Sequence, residues 1–531
     1  MAHAFDAIVI GSGFGGAITA CRLAEHGFRV LVLERGRRWD TKDYPRKPDD
    51  AWIWEQHEPE RQNGWLDLRR FNDMWVAQCA GVGGGSLIYA NVFIEAKREV
   101  FNVGWPAEIT YDELKPYYDK TGRMLNVQTL PENQLTERYK LMKEAAEKLG
   151  YGSRFRPVPL AVSFNPDWNY NLSDPFNNSH SKTWTNPQGQ QQGTCVHCGN
   201  CDIGCQVKAK NTLDLNYIPQ AERHGAQVRP LHMVRCITPL ANGYRVDFDR
   251  IENGRCIPGS ETAERVILSA GSLGSTELLL RCRDQHKTLP GITRFLGHNW
   301  SSNGDFLTPA TYSNRRISPT QGPTITCAID FLDGSVDRQQ FFVEDGGFPD
   351  VLGNYLEAKL QSGSKDRTGQ VLLDSLGKIV RSRDALANVM PWFGQAIDAA
   401  DGRLYLGRRW WAPWKKDLKL DWDIARSEPV IDALVNMHKR LSAATNGTPW
   451  VPPSWTVLKN LVTPHPLGGC NTGTTPENGV VDHRGEVFGY PNLYVADGAI
   501  IPEAVGLNPS RTIAALAERI SDLIIKGVKP S

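Results

Sequence analysis

Residues 6–36, DAIVIGSGFGGAITACRLAEHGFRVLVLERG, decide the fold. The apolar run Ala7 to Ile10 reads as a buried parallel strand, helical periodicity follows through Ile18, Leu23 and Ala24, and a second apolar strand, Val30 to Leu33, ends in Glu34. Between strand and helix stand Gly11, Gly13, Gly15 and Gly16, and Gly11, Gly13 and Gly16 satisfy G-x-G-x-x-G. In such a turn the first glycine bends the chain, the second lets the backbone approach a pyrophosphate at the helix N-terminus, and the third lets helix and strand pack closely. Glu34 is placed to accept hydrogen bonds from an adenosine ribose. A dinucleotide site follows from the complete unit of two strands, helix and acid, where the glycines alone would be weak evidence.

A second glycine run lies in CAGVGGGSLIYANV, residues 79–92. The density of Gly83, Gly84 and Gly85, followed by Ser86, lets main chain touch a flat or anionic ligand. From about Asn102 to Gln192 the texture is polar and rich in Asn, Pro and Trp, which reads as a cap with long loops. Strand patterns return at residues 227–231, 243–248 and 265–270, the last leading into the helix of AGSLGSTELLLRCRD. Alternation in TITCAIDF, QQFFVED and GRLYLGRR predicts antiparallel strands, with a helix near 429–444. The chain ends in a strand, a turn and an amphipathic helix beginning near Asn508 and Ser510. The expected class is α/β (α+β overall). A discontinuous Rossmann-like domain takes residues 1–45, 72–100, 206–302 and 460–531, and a substrate domain with a mainly antiparallel sheet takes 46–71, 101–205 and 303–459.

Charges nearly cancel at +1 over 531 residues and form no basic block, so nothing favours nucleic acid. No apolar run approaches the roughly 20 residues of a membrane span. The opening MAHAFDAIVIGSG shows no leader, which points to a reducing cytoplasm. Tryptophan is abundant, 16 residues in all, with clusters at Trp52/Trp54/Trp65/Trp75 and Trp392/Trp410/Trp411/Trp414; most suit a core, and some could line an apolar pocket.

Four thiols crowd one loop: Cys195, Cys198, Cys201 and Cys205, spaced C-x2-C-x2-C-x3-C. That spacing suits an iron-sulfur cluster, of three or four irons, since one short loop can wrap several sulfurs around a compact core. A structural zinc site is the competing reading, although zinc usually draws two ligands from each of two separated knuckles. Disulfides fit a reducing compartment poorly.

Together GSGFGG, GVGGGSLIYAN, GSLGSTELLL, HPLGGC and YVADGAIIPEAVGLNPS resemble the glucose-methanol-choline (GMC) oxidoreductases, and within them the cholesterol-oxidase-like branch. The resemblance is strongest at both ends and weakest over roughly 300–450. It implies non-covalent FAD, with Gly11, Gly13, Gly16 and Glu34 at the adenosine diphosphate, and Val234 holding adenine through main chain. The run Gly83–Ser86 and on to Asn91 would pass the flavin ring, and Asp497-Gly498 would turn at the ribityl and pyrophosphate. It further implies His465 and Asn508 as the catalytic pair flanking the reacting carbon of a bulky apolar alcohol. Cholesterol oxidases also carry a glutamate that moves a proton during double-bond isomerisation. FFVEDGGFPDVLGNYLEAK offers Glu344 and Glu357 without a clear match, leaving isomerisation open. Electrons would leave the flavin through the cluster to a one-electron acceptor, a protein or quinone. The alternatives are an oxygen-using oxidase with a structural cysteine loop, and an electron-transfer protein without substrate chemistry.

Overall fold

The computed structural model describes residues 3–47, 49–349, 385–408, 415–456, 459 and 461–527. Strand Phe5–Ile10 leads through the glycine turn into helix Phe14–Glu25 and returns in strand Val30–Leu33. Ala7, Ile8, Val9 and the helix face of Ala17, Ile18 and Leu23 are buried, as a parallel sheet covered by helices requires.

The seven-stranded sheet runs Gln227–Arg229, Val30–Leu33, Phe5–Ile10, Arg255–Leu268, Tyr244–Glu252, His232–Pro239, with Leu493–Val495 also paired to Arg255–Leu268. The pairs on either side of Phe5–Ile10 are parallel, and Leu493–Val495 adds parallel to residues 266–268. Tyr244–Glu252 and its two neighbours form an antiparallel meander on one flank. C-terminal chain thus completes an N-terminal sheet, and helix Ser510–Gly527 packs on helix Phe14–Glu25.

The second sheet has six antiparallel strands, ordered Thr448–Pro449, Phe306–Thr311, Val389–Ala396, Gln339–Asp345, Cys327–Val336 and Phe155–Pro157. Helix Glu428–Ala444 covers it, burying Ile431, Leu434 and Leu441. A hairpin of Leu66–Arg70 and Met74–Cys79 takes Leu461–Thr463 as a parallel third strand. Within the stretch expected to be loops, two α-helices form, Tyr111–Met124 and Glu137–Lys148. Thr110 and Thr136 cap them by accepting from Glu113 N and Tyr139 N. Trp54, Trp65 and Trp392 are core residues, Trp75 is exposed, and Trp410, Trp411 and Trp414 lie outside the described residues, as does Glu357.

Candidate active site

Each fingerprint glycine has its own steric reason. Gly11 takes φ +95°, and a methyl there would lie 2.4 Å from the Ser269 carbonyl oxygen. On Gly15 and Gly16 it would meet carbonyl oxygens of Ala496 and Gly11 at 1.7 and 2.0 Å, so these two set the approach of helix to sheet. Gly13 differs: an added methyl would find only backbone of Gly84 and Gly85, at 3.9 and 4.0 Å. Open space in front of Gly13, at the helix N-terminus, is where a pyrophosphate would sit.

Glu34 is buried and holds the turn together. Its Oε2 accepts from Ser12 N and Oγ at 3.0 and 2.7 Å, and its Oε1 from Gly36 N at 2.9 Å. Ser12 Oγ in turn accepts from Gly83 N at 3.1 Å, so the fingerprint and the second glycine run form one floor. Val234 lies in strand His232–Pro239, whose His232 N donates to Glu34 O at 2.8 Å, which brings it to the adenosine side of the turn.

Along the second run, Gly83 takes φ +110°, and Gly85 faces open space within 4 Å. Ser86 is spent inside the loop: its hydroxyl donates to Gly83 O at 2.7 Å and accepts from Leu213 N at 3.1 Å. Asn91 is fully buried with neither amide atom hydrogen-bonded, a cost that a bound polar group would relieve. The Asp497 carboxylate accepts from Gly271 N, Ser275 Oγ and Ala499 N at 2.8, 2.6 and 2.8 Å. Burial pushes it up to about 6, and Gly498 opens the short turn Gly498–Ile500 behind it.

The six-stranded sheet and the strand Leu461–Thr463 bring the expected catalytic residues together. Strand Leu461–Thr463 ends two residues before His465, whose Nδ1 faces Asp305 Oδ1 at 2.8 Å and Oδ2 at 3.1 Å. Asp305, buried just ahead of strand Phe306–Thr311, has no local motif to mark it and was not anticipated from sequence. Burial opposes the charged imidazole, but the Asp305 carboxylate outweighs that and holds His465 above its ordinary range. Glu344, near the end of strand Gln339–Asp345, is fully buried, and its Oε2 accepts from Gln395 Nε2 at 2.8 Å and Asn508 Nδ2 at 3.4 Å. Glu344 and His465 also interact electrostatically. Glu344 Oε1 and Asn508 Oδ1 are buried with no partner. The histidine, asparagine and glutamate thus share one site; of the two acids of FFVEDGGFPDVLGNYLEAK, Glu344 stands beside Asn508 and Glu357 lies outside the described residues.

Burial pushes Glu344 up to about 7 from 4.5. Because the folded protein binds this proton more tightly than the unfolded chain, the stability is present below pH 4.5 and is lost as pH rises toward 7. Glu344→Gln is therefore expected to gain thermal stability over the parent on going from pH 5 to pH 8, by roughly 3 kcal/mol at most. Calorimetry at the two pH values checks this.

The cysteine loop adjoins the second glycine run. Lys210, only 2% exposed, donates from Nζ to Leu87 O, Tyr89 O and Cys201 O at 2.9, 3.0 and 2.7 Å. It makes no ion pair among the described residues. Arg46 donates to Ile203 O and Gly204 O at 2.5 and 2.6 Å. Cys195 Sγ accepts from His197 N at 3.4 Å and Cys205 Sγ from Ala209 N at 3.3 Å. Gly199 and Gly204 approach Thr320 O and the Tyr44 ring so closely that a methyl would come within 2.0 and 2.6 Å. Burial raises the Cys195, Cys198 and Cys201 thiols, Cys198 to about 12. Among the described residues no group of three or more His, Cys, Asp or Glu side chains is gathered as a single metal ion would require, while the thiols of Cys198, Cys201 and Cys205 lie near enough to act electrostatically on Cys195.

A glycine-rich nucleotide turn and a cluster of His465, Asn508 and Glu344 in one fold define a class: a dinucleotide-dependent enzyme. The GMC oxidoreductase family matches at residues 399–517, and an NAD(P)-binding Rossmann-like domain at 9–44. The chain is 30% identical to a cholesterol oxidase of Acinetobacter baumannii, covering 98% of this chain and 94% of that one. It is 31% identical to a cholesterol oxidase of Mycobacterium tuberculosis H37Rv, covering 98% and 91%. Pyridoxine 4-oxidase from Mesorbium loti shares the fold, with a TM-score of 0.62 at 16% identity, over 99% of this chain and 100% of that one. The chain belongs to the GMC oxidoreductase family and is an FAD-dependent oxidoreductase acting on CH–OH groups. No described helix is long and apolar enough to cross a membrane.

Proposed function

We propose that this chain oxidises a bulky apolar secondary alcohol, of sterol-like class, to the ketone. The observation that carries the reading is the convergence of His465, Asn508 and Glu344 at one buried site with Asp305 behind the imidazole. FAD, held by Gly11, Gly13, Gly85, Glu34, Val234 and Asn91, would supply the hydride acceptor. The chain's own residues orient the alcohol and take its proton. His465 Nε2 carries no hydrogen bond among the described residues and is the base for the hydroxyl proton. Asn508, whose Oδ1 has no partner, fixes the alcohol oxygen by hydrogen bonding. Glu344, near the end of strand Gln339–Asp345 and beside Asn508, supports isomerisation after oxidation where the substrate carries a suitable double bond. Both cholesterol oxidase relatives support the sterol-like class.

For the electron outlet we favour an iron-sulfur cluster held by Cys195, Cys198, Cys201 and Cys205. What supports it is charge: Lys210, a buried cation beside Cys201, has Asp202 acting on it electrostatically but no ion pair among the described residues, and Arg46 clasps the other end of the loop. An anionic thiolate-bound cluster would compensate both. The second reading is an oxidase that uses oxygen, with the loop structural. It is favoured by the names of the two relatives and by the fact that no side-chain group fit to hold a metal ion occurs among the described residues. Iron and sulfide analysis with electron paramagnetic resonance on anaerobic protein decides between them, together with turnover in air. Iron present, lost in Cys198→Ser, with turnover that needs an added acceptor, supports the cluster. Zinc or no metal, with peroxide formed in proportion to ketone, establishes the oxidase.

A further inference from the structure

We infer that Asp305 is a positioning residue that fixes His465 in the one tautomer able to take the alcohol proton; this rests on His465 being the base. Asp305 is 1% exposed, and its carboxylate touches two proton donors. Oδ1 lies 2.8 Å from His465 Nδ1, and Oδ2 lies 2.5 Å from Thr463 Oγ1. A carboxylate carries no proton of its own, so the imidazole places its proton on Nδ1 and the threonine directs its hydroxyl toward Oδ2. Thr463 Oγ1 also accepts from His465 N at 2.9 Å, which locks strand end, carboxylate and ring into one arrangement. Nε2 is left with a free lone pair, on a ring that Glu344 also acts on electrostatically. The alcohol O–H bond breaks with its proton going to Nε2, and the resulting imidazolium is balanced by the carboxylate on its far side.

The charged or titratable groups facing His465 are Asp305 and Glu344, so both enter its pH behaviour. Asp305 comes from the chain ahead of strand Phe306–Thr311, and Glu344 from strand Gln339–Asp345. Asn508 and the Phe393 ring, 6.5 Å from the imidazole centroid, are neutral.

Asp305→Asn separates positioning from packing. Its amide oxygen would take the place of Oδ2, to keep accepting from Thr463, so its NH2 would face Nδ1 and drive the imidazole proton to Nε2. In the holoenzyme we expect kcat/KM to fall roughly 20-fold, with KM, FAD content and Tm close to the parent. The low-pH limb of kcat/KM moves to lower pH, because the imidazole loses its anionic partner. Asp305→Glu, which keeps the carboxylate, recovers part of the rate and the limb. Nitrogen-15 NMR of histidine-labelled holoenzyme gives a readout independent of turnover: the His465 proton on Nδ1 in the parent and on Nε2 in Asp305→Asn. An unmoved limb with the same tautomer in both proteins overturns the inference, and so does a parent proton on Nε2 should the variant not fold. His465→Ala that keeps its turnover overturns the underlying base assignment instead.

Discussion

His465→Ala should lose at least about 100-fold in alcohol turnover while purifying with its full complement of FAD. The two parts of that outcome come from different regions. The proposed nucleotide contacts lie on the floor of Gly11 to Gly16 and Gly83 to Gly85, whereas His465 stands two residues beyond the strand Leu461–Thr463. Removing the imidazole deletes the proton acceptor and leaves Asp305, a buried carboxylate, without its ring partner. That orphaned charge lowers stability as well, by an amount of order 1–3 kcal/mol for an unsatisfied buried group. His465→Gln is the more conservative companion, since its amide can still donate toward Asp305. Stopped-flow flavin reduction and the visible flavin spectrum measure the two effects separately. Loss of rate with FAD retained is expected for both variants.

Gly13→Val is the second large effect, and it concerns cofactor alone. Gly13 has φ −70° and ψ −164°, an extended conformation open to any residue, and its added methyl meets protein no closer than 3.9 Å. The apoprotein should therefore fold. The side chain instead fills the space at the N-terminus of helix Phe14–Glu25 that a pyrophosphate would use, and it keeps phosphate oxygens from the backbone N–H groups. FAD affinity should fall by more than about 100-fold, equivalent to losing about 3 kcal/mol of anion binding. Equilibrium titration of apoprotein with FAD checks this, with circular dichroism as the control for folding. Gly15→Ala makes the contrast: its methyl would sit 1.7 Å from the Ala496 carbonyl oxygen, so that variant should fail to fold rather than fold empty.

How much could be read from sequence follows from how local each constraint is. The fingerprint was legible because Gly11, Gly15 and Gly16 stand at the fixed spacing of one strand-turn-helix, although the carbonyls they avoid include Ser269 and Ala496 from distant chain. The helix at 428–444 was legible from periodicity. The helices Tyr111–Met124 and Glu137–Lys148 were hidden by polar composition, although Thr110 and Glu113 form the S/T-x-x-E start signal and Thr110 Oγ1 accepts from Glu113 N at 3.1 Å. Asp305 was invisible for a different reason. It acts on His465 across 160 residues of sequence, through the junction of two sheets, and nothing adjacent to it announces that partner. Glu344 was seen as a candidate but lacked its partners, since Gln395 and Asn508 reach it only once strand Val389–Ala396 and the C-terminal loop are folded around it. Lys210 shows the same limitation: as sequence it is one lysine among many, and only its burial against Leu87, Tyr89 and Cys201 gives it meaning.

The most direct test of alcohol oxidation by this site is anaerobic stopped-flow mixing of the FAD-loaded protein with a 3-hydroxysteroid and with the same compound deuterated at the carbinol carbon. The predicted result is saturable bleaching of the flavin, slowed severalfold by deuterium, with one ketone formed for each flavin reduced. A flavin that stays oxidised with this and with other bulky secondary alcohols, in protein shown to be fully loaded and reducible by dithionite, would contradict it.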